Sequence, residues 1–294
     1  MNIVILGATG QIGKLLFVWL KNNSSLIVTG TSRSEDPAKI LLKFDPFKDN
    51  WEMLGKVDVL INCIGQIRET MSVDFYKVHV RLTEQIVRNR LKLGNPRIIQ
   101  ISALGASAIH RVKFLKTKGV ADNLLLQEKE TVIVRPGIVC TSGTMMVRKF
   151  QRMMAIARKL KQHVLVPAGF LDHKIQPVLP ADLAEVIEKL CLTDFSKLEE
   201  SMRIINVVGP DEISYRQLLT MASETQHVKV VELGNLWVRI AVRFFVSPVF
   251  PDLITYDQYR LLFEDNIASS ELTERIIGHP PSSTINFLRQ SFST

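Results

Sequence analysis

The chain has 294 residues, of which 46% are hydrophobic and 22% charged, and its net charge is +8. This length and composition predict a globular protein with one large core, or a core and a smaller lobe. The positive charge suits anionic ligands, but no basic residues alternate with aromatic ones as in a stacking platform, so we expect no nucleic-acid partner. The first predicted strand begins at Asn2, which leaves no room for a signal peptide and argues against secretion.

Three isolated cysteines, Cys63, Cys140 and Cys191, lie in apolar segments without CxxC spacing or a nearby histidine cluster. That pattern argues against a metal site and favours small buried residues in a reducing compartment. We therefore expect a cytoplasmic protein without a bound metal.

The first half of the chain alternates apolar runs with helical patterns, and this alternation predicts a doubly wound parallel α/β sheet. Strands are predicted over residues 2–6, 26–31, 57–63, 97–102 and 131–135. Helices are predicted over residues 72–93 and about 181–192, and after the first strand, where one face would contain Ile12, Leu15, Leu16 and Trp19.

The first strand runs into a glycine-rich loop, Gly7-Ala8-Thr9-Gly10-Gln11-Ile12-Gly13. Glycines there would permit a positive φ, the approach of phosphate to the backbone, and tight packing of the next helix on its strand. The helix would point N–H groups and its positive dipole end at the phosphates. We interpret this loop as the pyrophosphate site of a dinucleotide, with a plain strand-to-helix turn as the alternative.

The end of the second predicted strand indicates which dinucleotide is bound. It reads Thr31-Ser32-Arg33-Ser34, where an NAD-selective protein would offer a carboxylate to the ribose 2′-hydroxyl. The Arg33 guanidinium suits a 2′-phosphate, so we predict NADP, with NAD possible. The alternative is that Arg33 is a solvated loop residue.

The alternating pattern breaks at residues 137–177 and again after Gly209-Pro210. We therefore predict a Rossmann domain of residues 1–140, continued by 174–208. Residues 141–173 and 209–294 would form a small, mainly helical lobe that holds a small-molecule ligand in a cleft at the carboxyl ends of the strands.

Two basic amphipathic stretches occur in the predicted lobe, near residues 145–163 and 235–246. Each would form a helix with an apolar face on one side and cationic residues on the other. In the first, the apolar face would contain Met146, Phe150, Met153, Met154, Ala157 and Leu160, and the cationic side Arg148, Arg152 and Lys159. In the second, the apolar face would contain Trp237, Ala241 and Phe244, and the cationic side Arg239 and Arg243. We expect both to pack on the core, the alternative being contact with an anionic membrane surface or an acidic protein.

The motifs in their order resemble the atypical short-chain dehydrogenase/reductase superfamily. They comprise the glycine loop and the segments Ile61-Asn62-Cys63-Ile64-Gly65, Ile101-Ser102-Ala103-Leu104-Gly105-Ala106 and Val134-Arg135-Pro136-Gly137. Residues 176–184 and 206–219 look most like the branch that contains the nucleotide-binding accessory subunit of respiratory complex I and free-standing bacterial relatives.

The resemblance implies positions for the cofactor. The glycine loop would line the pyrophosphate, Cys63 to Gly65 the central ribose and Pro136 to Ile138 the nicotinamide, and Asp45 would approach the adenine unless it caps the turn before Pro46. The implied cofactor-binding residues are Gly7, Thr9, Gly10, Gln11, Ile12, Gly13, Ser32, Arg33, Asp45, Cys63, Ile64, Gly65, Ser102, Lys118, Pro136, Gly137 and Ile138.

Active members of this superfamily place a proton-exchanging tyrosine four residues before a lysine. Lys118 matches the lysine, but Phe114 stands at the tyrosine position and Leu104 at or near the position of the usual Ser or Thr. One interpretation is an oxidoreductase on a small carbonyl, quinone or nucleotide-sugar-like substrate, with Lys118 as the only retained catalytic group. Another is non-catalytic NADP(H) binding in a structural, redox-sensing or assembly role. A third recruits another proton donor, and the candidates are His110, Tyr76, His79 and His173.

Overall fold

The computed structural model describes residues 1–69, 74–141, 145–159, 163–223, 229–246 and 255–293. The chain forms two compact units, the first made of Met1–Pro136, Ala181–Val207 and Glu271–His279, and the second of Gly137–Pro180, Val208–Ser270 and Pro280–Thr294. The predicted division differs from these units at residues 137–140, 174–180, 208 and 271–279.

The first unit contains a sheet of seven strands. Their bounds are β1 Asn2–Leu6, β2 Ile27–Ser32, β3 Leu42–Lys43, β4 Val59–Asn62, β5 Arg97–Ile101, β6 Thr131–Pro136 and β9 Ile204–Val207. They lie in the order β3-β2-β1-β4-β5-β6-β9, and every neighbouring pair is parallel. The predicted doubly wound α/β fold is confirmed, and each of the five predicted strands ends within two residues of the observed one.

Helices cover the sheet of the first unit. They are α1 Gln11–Lys21, α2 Leu82–Asn89, α3 Lys113–Leu126, α5 Pro180–Leu192 and α9 Glu271–Ile277, with 3₁₀ turns at Trp51–Leu54, Arg90–Leu93, Phe195–Lys197 and Glu200–Arg203. The helix predicted over residues 72–93 consists of a π-helical turn at Tyr76–Arg81, then α2 and a 3₁₀ turn. Its predicted first two residues lie outside the described part of the chain. It ends at Gly94, whose φ of 84° is left-handed and favours glycine.

The buried face of α1 differs from the predicted one. The helix buries Gly13, Leu16, Phe17 and Leu20, and the predicted Ile12, Leu15 and Trp19 are only half-buried. The physical reason is that Gly13 makes the close approach to Gly7 in the loop after β1, which turns the helix so that the apolar residues in line with Gly13 face the sheet.

The second unit is built mainly from helices around its own core. Its elements are α4 Met145–Lys159, β7 His163–Pro167, β8 Lys174–Ile175, β10 Ile213–Ser214, α6 Tyr215–Ser223, β11 Lys229–Leu233, α7 Asn235–Ala241, a π-helical turn at Val242–Val246, α8 Tyr256–Leu261 and α10 Ile285–Ser293. Strand β10 pairs antiparallel with β8, and β11 pairs parallel with β7. The core brings together Phe150, Phe170, Tyr215 and Phe292. In the part of the chain described, no helix has the length and apolarity needed to cross a membrane.

Candidate dinucleotide site

The sheet changes its direction of winding between β1 and β4. The chain continues from β1 towards β2 on one side of the sheet, and from β4 towards β5 on the other. Because Leu6 and Asn62 are register partners in parallel strands, the loops after them leave the same carboxyl edge in opposite directions. This edge is the place where doubly wound sheets bind ligands.

The glycine loop has the backbone that its sequence predicts. Gly7 has a φ of 81°, and a Cβ there would lie 2.8 Å from Cγ1 of Ile64. A Cβ on Gly13 would overlap the carbonyl oxygen of Gly7, so α1 packs against the loop at van der Waals distance. Gly10 is the N-cap of α1 and supplies no capping side chain, and the first turn contains no acidic residue. The helix therefore directs its positive dipole end into the loop without a competing carboxylate.

The predicted residues of the loop differ in exposure. Gly13 is buried against Gly7. The half-buried or exposed members are Gly7, Thr9, Gly10, Gln11 and Ile12. The loop thus leaves an accessible rim of backbone at the edge of the sheet.

The carboxyl end of β2 carries an exposed cation beside occupied carboxylates. Asp36 accepts hydrogen bonds from two backbone N–H groups of its own loop at 2.9 and 3.0 Å, and these bonds lower the pKa of Asp36. Glu35 lies 3.3 Å from the ammonium of Lys43. Arg33 is exposed and makes no hydrogen bond or ion pair within the described ranges, and Ser32 before it is buried. The Arg33 guanidinium is therefore accessible to a ligand. The carboxylate of Asp36 is hydrogen-bonded within its own loop, and that of Glu35 pairs with Lys43.

Asp45 caps a turn. Its Oδ1 accepts from the backbone N–H of Phe47 at 3.0 Å, and its own N–H donates to Oδ2 of Asp49 at 2.7 Å. This is the local bonding expected of an aspartate before Pro46. Contact between Asp45 and an adenine stays a prediction.

The loop after β4 brings three predicted residues to the same edge. Cys63 continues from the strand, and the N–H of Ile64 donates to Oδ1 of Asn62 at 3.1 Å. Gly65 is exposed, and a Cβ there would lie 3.2 Å from Nζ of Lys118. A larger residue at this position would crowd the lysine.

Lys118, on α3, is a buried amine. Its side chain is 5% exposed, and its Nζ donates to the backbone carbonyl of Ile101 at 2.9 Å. Burial lowers the pKa of Lys118 from 10.5 to about 8, although Asp122 and Cys63 favour the charged form. The amine can therefore lose a proton within about one pH unit of neutrality.

Sequence reasoning missed a buried charge network beside this lysine. Ser102 Oγ donates to Oδ2 of Asp122 at 2.8 Å, and Arg135 donates to the same oxygen from Nε at 3.0 Å and from Nη2 at 2.8 Å. The other oxygen, Oδ1, is buried without a hydrogen-bond partner in the described part of the chain. Burial raises the pKa of Asp122, and Arg135 opposes the rise. The hydroxyl of Ser102, predicted to bind cofactor, thus serves this network.

Position 114, where the superfamily has its tyrosine, lies in an aromatic cluster. The ring of Phe114 is 5.6 Å from that of Phe75 and 5.7 Å from that of His79, centroid to centroid. Nδ1 of His79 is 2.8 Å from Oγ1 of Thr117, and burial, together with Lys118, lowers the pKa of His79 to about 2. The imidazole is neutral, and Phe114 has no proton to exchange.

The other proposed proton donors have local partners. The exposed ring of Tyr76 lies under Arg81, and His110 Nδ1 accepts from the backbone N–H of Val112 at 3.0 Å. In the second unit, His173 Nδ1 is 3.1 Å from Oδ1 of Asp265. These contacts explain the three side chains without a catalytic role.

The residues predicted to border the nicotinamide divide between the two units. Pro136 ends β6, and its carbonyl accepts from the backbone N–H of Leu104 at 3.3 Å. Gly137 and Ile138 belong to the second unit. A Cβ on Gly137 would overlap the carbonyl oxygen of Gln176, so a close backbone contact requires glycine there. Their contact with a nicotinamide stays a prediction.

The sheet order and the glycine loop at its switch point define a nucleotide-binding α/β protein of the Rossmann class. No protein-family model matches the chain. The chain is 26% identical over 230 residues to NADH dehydrogenase [ubiquinone] 1 alpha subcomplex subunit 9, mitochondrial, of Arabidopsis thaliana, which covers 73% of this chain and 55% of that protein. It is 25% identical over 221 residues to Protein FMP52, mitochondrial, of Eremothecium gossypii, covering 71% of this chain and 97% of that one. The chain thus spans about half the length of the plant relative.

Solved structures share the fold. MoeE5 in complex with UDP-glucose and NAD superposes with a TM-score of 0.69 at 14% identity, covering 100% of this chain and 97% of that one. RMD from Pseudomonas aeruginosa complexed with NADPH superposes with a TM-score of 0.64 at 14% identity, covering 99% of this chain and 96% of that one. Together with the sequence relatives, these matches confirm the resemblance to the atypical short-chain dehydrogenase/reductase superfamily. The chain thus resembles the nucleotide-binding proteins of this superfamily in sequence and shares the fold of its solved members.

The expectation of a cytoplasmic location is wrong. Both sequence relatives are named as mitochondrial proteins. The physical reason for the error lies in the cysteines, because burial raises the pKa of all three free thiols to about 12. Cys140 and Cys191 are buried and Cys63 is half-buried, and uncharged free thiols do not distinguish one reducing compartment from another.

Proposed function

We propose that the chain binds NADP(H) at the carboxyl edge of the first unit's sheet. The observation that carries this proposal is the glycine loop, in which a left-handed Gly7 and a tightly packed Gly13 leave the start of α1 accessible. Backbone N–H groups and the helix dipole at such a site bind a pyrophosphate. The names of the relatives support a mitochondrial location for this chain, and the name of the plant relative supports association in a larger protein complex.

The preference for NADP(H) over NAD(H) rests on Arg33. An NAD-selective site needs a carboxylate for the ribose 2′-hydroxyl, but Asp36 is bound by its own loop. Glu35 forms only an exposed pair with Lys43, which contributes little and does not fix its carboxylate towards a ligand. Arg33 is the exposed charge at the end of β2 and would pair with a 2′-phosphate.

Replacement of Arg33 by alanine is expected to weaken NADPH binding by about 10- to 100-fold, because charge-assisted hydrogen bonds contribute about 1.5–3 kcal/mol. NADH binding should change little, since NADH has no 2′-phosphate. Calorimetric titration of both nucleotides measures the two constants. The control is Arg88→Ala, which removes an exposed arginine from α2 of the same unit. Tighter binding of NADH than of NADPH by the unaltered protein would contradict the assignment.

A second function, reduction of a carbonyl or quinone by bound NADPH, is favoured by Lys118. Phe114 and Leu104 provide no proton, but a lysine with a pKa of about 8 can donate one to a developing alkoxide. Bound NADPH would supply the hydride, and Lys118 would supply the proton from Nζ. The non-catalytic alternative keeps the same cofactor site without turnover.

Substrate-dependent loss of NADPH absorbance across a panel of aldehydes, ketones, quinones and nucleotide sugars separates these two functions. We expect Lys118→Met to reduce any such turnover at saturating NADPH by about 100-fold or more, as is typical when a general acid is removed. The matched control is Lys116→Met, an exposed lysine on the same helix. Turnover that survives Lys118→Met would exclude the lysine mechanism, and an inert panel would favour the non-catalytic function.

A further inference from the structure

The two basic amphipathic stretches behave differently in the second unit. Helix α4 buries Val147, Phe150 and Met154, and the rings of Phe150 and Phe292 lie 5.7 Å apart. The expectation of core packing therefore holds for this stretch. Its predicted members Ala157, Lys159 and Leu160 have side chains outside the described residues.

The second stretch leaves large apolar side chains in solvent. Leu236 is 58% exposed and Phe244 is 63% exposed, and among the described side chains of residues 235–246 Val242 is the buried one. The predicted Trp237 has a side chain outside the described residues. A helix that packs on a core buries its apolar face. Of the predicted face, Ala241 is half-buried and Phe244 exposed, so among the described side chains this segment buries its apolar face only in part.

The strand before this helix extends the exposed apolar area. In the parallel pair β7–β11, Val231 is opposite Leu165 and Leu233 is opposite Pro167. Val164 and Val166 point into the core, so Leu165, which is 52% exposed, faces outwards. Leu233 lies on the same outer side and is 39% exposed. The apolar surface thus continues from the strand pair along the chain into α7.

The charges beside this surface are positive. Residues 233–246 include Arg239 and Arg243 and no aspartate or glutamate, and both arginines are exposed. The acidic residue that precedes them, Glu232, lies 3.8 Å from Arg216, which also pairs with Asp172 at 3.0 Å. The guanidinium of Arg243 lies over the rings of Phe244 and Tyr256, 5.5 and 5.3 Å from their centroids. Exposed leucine and phenylalanine beside exposed arginines match the boundary between acyl chains and anionic headgroups. A groove on an acidic protein would satisfy the arginines, whereas the surface of an anionic bilayer offers phosphates to the arginines and acyl chains to the apolar side chains together.

We infer that the second unit binds the surface of an anionic lipid bilayer. The lobe surface that does so is formed by Leu165, Leu233, Leu236, Arg239, Arg243 and Phe244. Its apolar side chains enter the headgroup region while the arginines pair with lipid phosphates. All six residues belong to one compact unit, so the inference is independent of the proposed cofactor and its chemistry.

Flotation of the full chain with vesicles tests this inference. We expect binding to phosphatidylcholine vesicles that contain about 30% phosphatidylserine, little binding to phosphatidylcholine alone, and release as salt rises from about 0.1 to 0.5 M. Leu236→Ser with Phe244→Ser should reduce the bound fraction by about tenfold or more, as should Arg239→Gln with Arg243→Gln. These side chains are exposed, so the variants are expected to fold, and their thermal unfolding verifies it.

The matched control is Leu91→Ser with Ile109→Ser. These residues of the first unit are 82% and 93% exposed, so the pair removes comparable apolar surface elsewhere, and its flotation should equal that of the unaltered protein. The inference is overturned if the chain does not float at low salt, if phosphatidylcholine alone binds it equally well, or if control and lobe-surface variants lose binding alike. Absence of flotation would instead favour an acidic protein partner for the two arginines.

Discussion

Replacement of Asp122 by alanine is expected to lower the free energy of unfolding by about 3–5 kcal/mol, the usual cost of removing one partner from a buried ion pair. The carboxylate is fully buried and accepts three hydrogen bonds, two from Arg135 and one from Ser102. Alanine would leave both donors without an acceptor, and a buried donor without a partner costs more than the bond itself contributes.

Urea unfolding at neutral pH, with the slope compared between variants, measures this loss. Asp122→Asn should lose less than Asp122→Ala, because the amide oxygen still accepts from Arg135. The control is Asp172→Ala, which removes the 76% exposed partner of Arg216 and should change stability little, since exposed pairs contribute little. If Asp122→Ala and Asp172→Ala lowered the free energy of unfolding equally, the buried network would contribute no more to stability than an exposed ion pair.

The same network shows where sequence reasoning reached its limit. Strands such as β4 and β6 could be predicted because their continuous apolar runs have one favourable environment, the centre of a sheet covered on both faces. The glycine loop could be predicted because its neighbours, a strand and a helix, are adjacent in sequence. Ser102, Asp122 and Arg135 are distant in sequence and meet only when β5, α3 and β6 pack. A polar residue four positions after Lys118, within the buried face of α3, was the available signal.

The buried face of α1 and the hydrogen bonds at the end of β2 also depended on contacts that the sequence pattern does not contain. Hydrophobic spacing gave the helix but not its rotation, which depends on Gly13 approaching Gly7. Arg33 could be singled out by position, but the occupation of Asp36 by its own loop depends on backbone geometry that composition does not contain. The positions of the candidate cofactor-binding residues could therefore be predicted from the sequence, but the hydrogen bonds and ion pairs that occupy the neighbouring carboxylates could not.

The residues available for ligand binding differ from those available for proton transfer. The accessible loop and the exposed Arg33 serve a ligand, and Phe114 fills the position of a proton donor with an apolar ring packed on Phe75. Lys118 remains, held by a carbonyl and weakly hydrated. Any proton transfer at this site thus depends on the pKa of Lys118. The pH dependence of the free energy of unfolding reports that pKa without a substrate.

Lys118→Met is expected to stabilise the protein at neutral pH and to remove a rise in stability between about pH 8 and 10.5. The pKa of Lys118 is about 8 in the fold and 10.5 in the unfolded chain. Between these values the unfolded chain holds a proton that the folded chain has lost, so the stability of the unaltered protein increases with pH. The full rise is about 3 kcal/mol, because each pKa unit corresponds to about 1.4 kcal/mol.

At neutral pH the unaltered protein carries nearly all of this cost, and methionine avoids it with a side chain of similar length. The variant also loses the charge-assisted bond to the carbonyl of Ile101, a loss of about 1.5–3 kcal/mol, which leaves a net gain of up to about 1.5 kcal/mol. Urea midpoints for both proteins at pH 7, 8, 9 and 10, with Lys116→Met as the exposed control, yield the difference at each pH. A difference that stays constant across this range would mean that Lys118 keeps an ordinary pKa in the fold, and a lysine-based proton transfer near neutrality would lose its physical basis.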